Sequence, residues 1–254
     1  MGGANHQAWE SAVGTLPRVK TPDGGVAYDD GEILVIVTGL RRPSSNSKTG
    51  DLVQTWIIAR NVAPTEAQRT GLDRLVCGDC PQRPALGGAC YVTVAQAPLS
   101  VWRAYHAGRY PVLRAEHLRR AVARGAGLRI GSYGDPAAVP VAMWRALASY
   151  FRHVVGYTHQ WRTNHELRSL TMASVDSAQE GAEARALGWR TFRVRKQGEP
   201  LVRGEIACPA SEEAGYGRTC TTCGACDGAR EGDRRASVAI IEHGARVRRL
   251  PVLG

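Results

Sequence analysis

Seven cysteines in two tight groups constrain this chain more than any other feature of its sequence. The first group is Cys77-Gly78-Asp79-Cys80, followed after nine residues by Cys90. The second is Cys208, then eleven residues beginning with Pro209, then Cys220-Thr221-Thr222-Cys223-Gly224-Ala225-Cys226. An odd total at these spacings makes a poor disulfide framework and a good set of metal thiolates. No cysteine stands apart beside a histidine, as a catalytic nucleophile requires.

A CxxC pair on a glycine-containing turn points two sulfurs at one centre, and Cys90 reaches back from a short strand expected over Cys90–Val94. Three thiolates leave a position open: a fourth zinc ligand must come from elsewhere, or one iron of a 4Fe-4S cluster stays available to substrate. The CxxCxxC run resembles the ferredoxin arrangement, and Cys208-Pro209 supplies the remote cysteine that completes four thiolates. A structural zinc site is the alternative for that group, and small buried hydrophobic cysteines are the blandest one.

The chain has 254 residues, 43% of them hydrophobic, enough for a sizeable core without staples. The sequence contains no run of about 18 apolar residues, and Met1 to Glu10 carries neither a basic start nor an apolar stretch, so a cytoplasmic protein without a membrane span is expected. The net charge of +10, mostly arginine, suits a phosphate-bearing partner such as a nucleotide or nucleic acid; a general bias toward arginine explains it equally well. Oligomeric state is not legible.

Residues 1–30 are rich in Gly, Pro and polar side chains and read as an irregular arm; residues 31–254 read as one α/β domain with metal loops at 77–90 and 208–228. Ile33–Thr38 and Leu52–Ile58 are β-rich runs joined by a polar loop with three cations, Arg41, Arg42 and Lys48, which predicts a long hairpin. Helical patterns follow at 100–107 and 115–123. Strands are then expected at Leu128–Tyr133, His153–Thr158, Leu170–Val175, Arg190–Val194, Gly204–Cys208 and Ser237–Glu242. That alternation predicts a parallel sheet, (β/α) barrel-like and complete or partial, with an open doubly wound sheet as the alternative.

Each expected strand runs into a reactive residue at its C-terminal end: Asp135, His159, Asp176, Arg195, Cys208 and His243. In a barrel those ends share one mouth. Asp135, His159, Asp176 and Arg195 are therefore the candidate catalytic residues, for substrate positioning or proton transfer. Gly131, Ser132 and Gly134 are candidates for close backbone approach to a ligand, with a helix N-terminus behind them to attract an anion. Structural alternatives stand beside each: Asp135 and Asp176 as helix caps, and His159 as a hydrogen-bonded structural residue. Tyr157-Thr158-His159-Gln160-Trp161-Arg162 can stack on a base and pair with a phosphate. Trp102-Arg103-Ala104-Tyr105 and Arg109-Tyr110 fit either nucleic acid or helix packing. Arg119-Arg120, Arg234-Arg235 and Arg248-Arg249 read as solvated charges.

Cys77-x2-Cys80…Ala89-Cys90-Tyr91, followed by Arg129-Ile130-Gly131-Ser132-Tyr133-Gly134-Asp135-Pro136, resembles the radical-SAM-like barrels encoded by bacteriophages. Over residues 75–245 the chain looks closest to an uncharacterised bacteriophage protein family with an added C-terminal cysteine cluster. The resemblance implies a 4Fe-4S cluster on Cys77, Cys80 and Cys90 that binds S-adenosylmethionine at its open iron, and an auxiliary cluster on Cys208, Cys220, Cys223 and Cys226. The spacing here, x2 then x9, departs from the usual CxxxCxxC loop, so direct binding of substrate to the open iron stands beside S-adenosylmethionine use.

Overall fold

The computed structural model describes residues 22–44 and 46–242. His243, Arg248, Arg249, Ser45 and residues 1–21 of the expected arm lie outside the described residues.

Nine strands form one sheet in the order β1-β2-β3-β4-β5-β6-β7-β9-β8. Strands β1 (Gly24–Asp29), β2 (Ile33–Thr38) and β3 (Leu52–Ala59) are an antiparallel meander. The run Ile33-Leu34-Val35-Ile36-Val37 is buried throughout, as a strand covered on both faces must be. The expected β2–β3 hairpin is present, with Ile33 opposite Ala59 and Thr38 opposite Gln54. The arm is shorter than expected: Gly24–Asp29 adds a strand to β2, and its Gly24-Gly25 start conceals the pattern.

From β3 onward the pairing is parallel, through β4 (Gly127–Tyr133), β5 (Val154–Thr158), β6 (Met172–Val175), β7 (Thr191–Arg195), β9 (Ser237–Ile241) and, outermost, β8 (Glu205–Ala207). The sheet is open rather than a closed barrel. The meander extends one edge to β1, while β8 lies outside β9, so β1 and β8 end as separate edges. Cys90–Val94 is not a strand: the Cys90 amide bonds the Gln82 carbonyl at 2.9 Å, which closes a loop instead of joining the sheet.

Helices α1 (Pro64–Thr70), α2 (Arg74–Cys77), α3 (Ala97–His106) and α4 (Ala115–Ala123) fill the β3–β4 crossover; α5 (Val141–Ala148) and α6 (Ala178–Ala186) follow β4 and β6. α7 (Cys220–Cys223) lies in the second cysteine loop. Period-two alternation splits the parallel strands into two faces. Leu128, Ile130, Ala173 and Val175 join the large core with Leu118, Trp144 and Ala184 from the helices. Their neighbours Arg129, Gly131, Val155, Tyr157, Ser174, Phe192, Val194 and Ile240 turn to the opposite face, where they line a cavity of about 390 Å³.

Candidate metal centres around one cavity

All seven cysteines line that cavity, and none is in a disulfide. The first group sits at the C-terminal ends of the strands. Cys77 ends α2, Gly78 turns the chain at φ 57°, and the Cys80 amide bonds the Cys77 carbonyl at 3.3 Å. The buried Arg83 guanidinium braces this loop, bonding Asp73 at 2.6 Å and the Gly71 and Gly78 carbonyls at 2.6 and 3.3 Å. The Asp135 amide ties the loop to β4 by donating to the Val76 carbonyl at 2.7 Å.

The Cys220–Cys226 loop of the second group reaches the same cavity from the N-terminal ends of β3 and β5, where Gly224 lies against His153. Thr219 caps α7 by accepting the Thr222 amide, and Gly224 closes it at φ 62°. The Cys220 and Thr221 amides donate to the Lys48 and Thr49 carbonyls, both at 3.1 Å, so α7 docks on the β2–β3 loop just before β3. Cys208 follows β8, its amide held by Ala239 at 2.8 Å.

Burial pushes the Cys77, Cys208 and Cys220 thiols up, and that of Cys226 to about 12, with neighbouring thiols adding to the effect. Without metal these sulfurs are therefore protonated, and metal binding must release their protons. Among the described residues, no three His, Cys, Asp or Glu side chains are already gathered as a single-ion site. The donor set nevertheless fits a thiolate-bound centre: seven cysteine sulfurs outside any disulfide surround one cavity, and the buried Tyr133 hydroxyl beside Cys77 and Cys90 has no partner. A buried hydroxyl in that state marks a missing acceptor.

The strand-end residues divide by role. Asp135 lines the cavity, but both its oxygens are occupied: Oδ1 accepts from the Ala137 amide at 2.9 Å and the Thr158 hydroxyl at 2.7 Å, and Oδ2 from the His159 amide at 2.8 Å. It is the cap of a single 3-10 turn, Pro136–Ala138, so no long helix N-terminus faces an anion there. Burial raises its carboxyl above the usual range against the pull of these bonds. His159 sets Nδ1 3.3 Å from Cys80 Sγ and Nε2 3.5 Å from Asp176 Oδ2. Burial favours the neutral ring, but Asp176 and Cys80 outweigh it and raise its pKa to about 10.

Asp176 does not cap α6; Ser177 does, accepting the Glu180 amide at 3.1 Å. That leaves the Asp176 carboxylate for Gln82, which donates at 2.8 Å, and for His159. Arg195 is absent from the cavity lining and pairs with Glu213 and the Glu199 carbonyl. Gly131, Ser132 and Gly134 do line the cavity, with the Ser132 hydroxyl donating to Gln54 at 2.6 Å. A Cβ on Gly134, at φ 79°, would fall 2.6 Å from Ile57.

Tyr157 and His159 line the cavity, and the other aromatic-basic contacts lie outside it. Trp161 is 1% exposed and covered by Arg162, which pairs with Glu180 and Glu183. Trp102 and Tyr105 bond the Arg60 carbonyl and Asp29. Arg235 pairs with Asp227 and Asp233.

Sequence reasoning missed Gln82, Arg129 and Tyr133 as parts of the site, whereas Tyr157, expected within a base-stacking segment, does line the cavity. Arg129 was the readable one, a lone cation inside an apolar strand; its Nη2 donates to the Tyr91 hydroxyl at 2.9 Å. Lys48, noted as one of the loop's three cations, also lines the cavity. Comparison with protein-family models, curated proteins and solved structures finds no match to this chain.

Proposed function

We propose that the chain is an iron–sulfur enzyme that acts on a small phosphate-bearing substrate, a nucleotide in the first instance. The observation that carries this is the convergence of seven cysteines, none of them in a disulfide, on one cavity. Cys77, Cys80 and Cys90 would hold the catalytic cluster, and Cys208, Cys220, Cys223 and Cys226 the auxiliary one. A cluster with three cysteine ligands supplies an open iron that can bind S-adenosylmethionine or the substrate itself.

The residues between the two groups suit such a ligand. Arg129 and Lys48 bring positive charge to the cavity, and Tyr157 and Phe192, with ring centroids 4.3 Å apart, bring aromatic surface. Arg83, Arg124, Arg190, Arg193 and Arg195 are held in ion pairs with acids, whereas Arg129 and Lys48 line the cavity, which supports an enclosed anion as the ligand. Asp135 keeps the β4 and β5 ends in register, and His159 and Asp176 stand beside Cys80 to bind or orient. Among the described residues, no helix is long and apolar enough to cross a membrane.

Iron and acid-labile sulfide analysis of protein purified without oxygen tests this reading, with S-adenosylmethionine and nucleotide binding measured next. Stoichiometric zinc without sulfide would overturn it. A zinc-stapled nucleic-acid-binding protein without catalysis would then take its place, a reading favoured by the single CxxC turn closed at Gly224. Binding that weakens steeply with salt would be its signature.

A further inference from the structure

A polar chain leads away from Cys80. Gln82 Nε2 donates to Asp176 Oδ1 at 2.8 Å, Asp176 Oδ2 lies 3.5 Å from His159 Nε2, and His159 Nδ1 lies 3.3 Å from Cys80 Sγ. The His159 backbone is fixed independently, its amide donating to Asp135 Oδ2 at 2.8 Å. The links come from three places in the fold: the first cysteine loop, the end of β5 and the end of β6. A histidine serving only to hold the fold would have both ring nitrogens bonded within the protein. Here Nε2 and Asp176 Oδ2 are buried without a hydrogen-bond partner, and the ring's one bond within normal distance goes to a sulfur.

We propose that His159, oriented by Asp176 and Gln82, is a positioning residue that donates its Nδ1 hydrogen to the metal-bound Cys80 sulfur. The proposal rests on the reading of Cys80 as a metal ligand. A thiolate that accepts a hydrogen bond gives less charge to its metal, which stabilises the reduced form of an iron–sulfur cluster. An outer partner also fixes the sulfur's orientation and so strengthens metal binding. Cys80 thereby becomes the tuned ligand of the three-cysteine site.

The test uses the whole chain purified without oxygen, with His159→Phe, which removes the donor, and His159→Asn, whose Nδ2 hydrogens occupy nearly the same place. Two quantities are read: metal retained at each cysteine group against a competing chelator and, where iron is found, the reduction potential of each cluster. His159→Phe is expected to weaken one metal site by about 10- to 100-fold and lower its potential, leaving the other unchanged, and His159→Asn to restore most of both. Unaltered affinity and potential in His159→Phe would overturn the proposal. So would loss of both metals, or of the fold, in the two variants alike, because His159 would then be a packing residue. Zinc in the wild-type protein would sink the iron–sulfur reading instead, and the chelator competition would still decide the His159 contact.

Discussion

The Thr158 hydroxyl donates to Asp135 Oδ1 at 2.7 Å, locking the end of β5 onto the end of β4 directly beneath the first cysteine loop. The same carboxylate accepts the His159 amide, and the Asp135 amide holds Val76 beside Cys77. One residue thus sets the relative positions of two sheet strands, the imidazole and the first cysteine loop.

Two donors point at Asp135 Oδ1 and one at Oδ2, so in either orientation Asp135→Asn sets its NH2 against at least one buried donor and loses at least one hydrogen bond to a charged acceptor, at a cost of about 1.5–3 kcal/mol. The expected outcome is a lower melting temperature and loss of metal from the Cys77 group, with the Cys208 group still loaded. Thermal denaturation and metal analysis read both. An inactive variant with wild-type stability and full metal would instead make Asp135 a catalytic group.

Gly224 closes α7 in the left-handed region, and a Cβ there would fall 2.2 Å from the His153 ring. Gly224→Ala is therefore expected to displace α7 from its seat and empty the four-cysteine site, while the three-cysteine site keeps its metal. Equal metal retention at both sites would show that the second loop does not depend on this contact.

The side chains of Arg193 and Glu205 are both fully buried and bond twice, at 2.8 and 2.7 Å, across the β9 strand that separates β7 from β8. Ala239 pairs with Arg193 on β7 and with Ala207 on β8, leaving room for the bridge. Removing one partner of such a pair costs about 3–5 kcal/mol, so Glu205→Gln should unfold at markedly lower denaturant concentration. Burial raises the Glu205 carboxyl, but the bonds from Arg193 and the Val202 amide outweigh it and leave it below its ordinary value. A depressed carboxylate stabilises the fold above its unfolded pKa of about 4.3 and loses that contribution as pH falls through its lower folded value. Wild-type stability should therefore fall below about pH 4.3, while Glu205→Gln shows a flatter profile there.

Arg129 bonds Tyr91 and faces the cavity, away from the main core. Arg129→Met should reduce affinity for a nucleotide by about 10- to 100-fold, the worth of a hydrogen bond to a charged group, while both metal sites stay loaded. Unchanged nucleotide affinity, measured calorimetrically on metal-loaded protein, would remove Arg129 from the binding site.

The sequence alone determined the two cysteine groups, the β2–β3 hairpin and the strand rhythm from residue 128 onward. Each is local: metal spacing, period-two burial and turn residues are properties of a few consecutive side chains. It also marked His159 and Asp176 as strand-end residues worth attention, because β–α alternation puts such ends on one rim.

Only the tertiary structure decided that the sheet stays open, because an edge strand is recognised by what pairs with it and not by its own residues. The same holds for the choice between Ser177 and Asp176 as the α6 cap, and for Arg195, which turns from the cavity to Glu213. Residues of similar local pattern were separated by long-range partners. The Cys80–His159–Asp176–Gln82 chain brings together positions up to 96 residues apart in a chain whose strands pair in parallel. No sequence spacing records such contacts, since each is created by crossover connections that return the chain to the same end of the sheet.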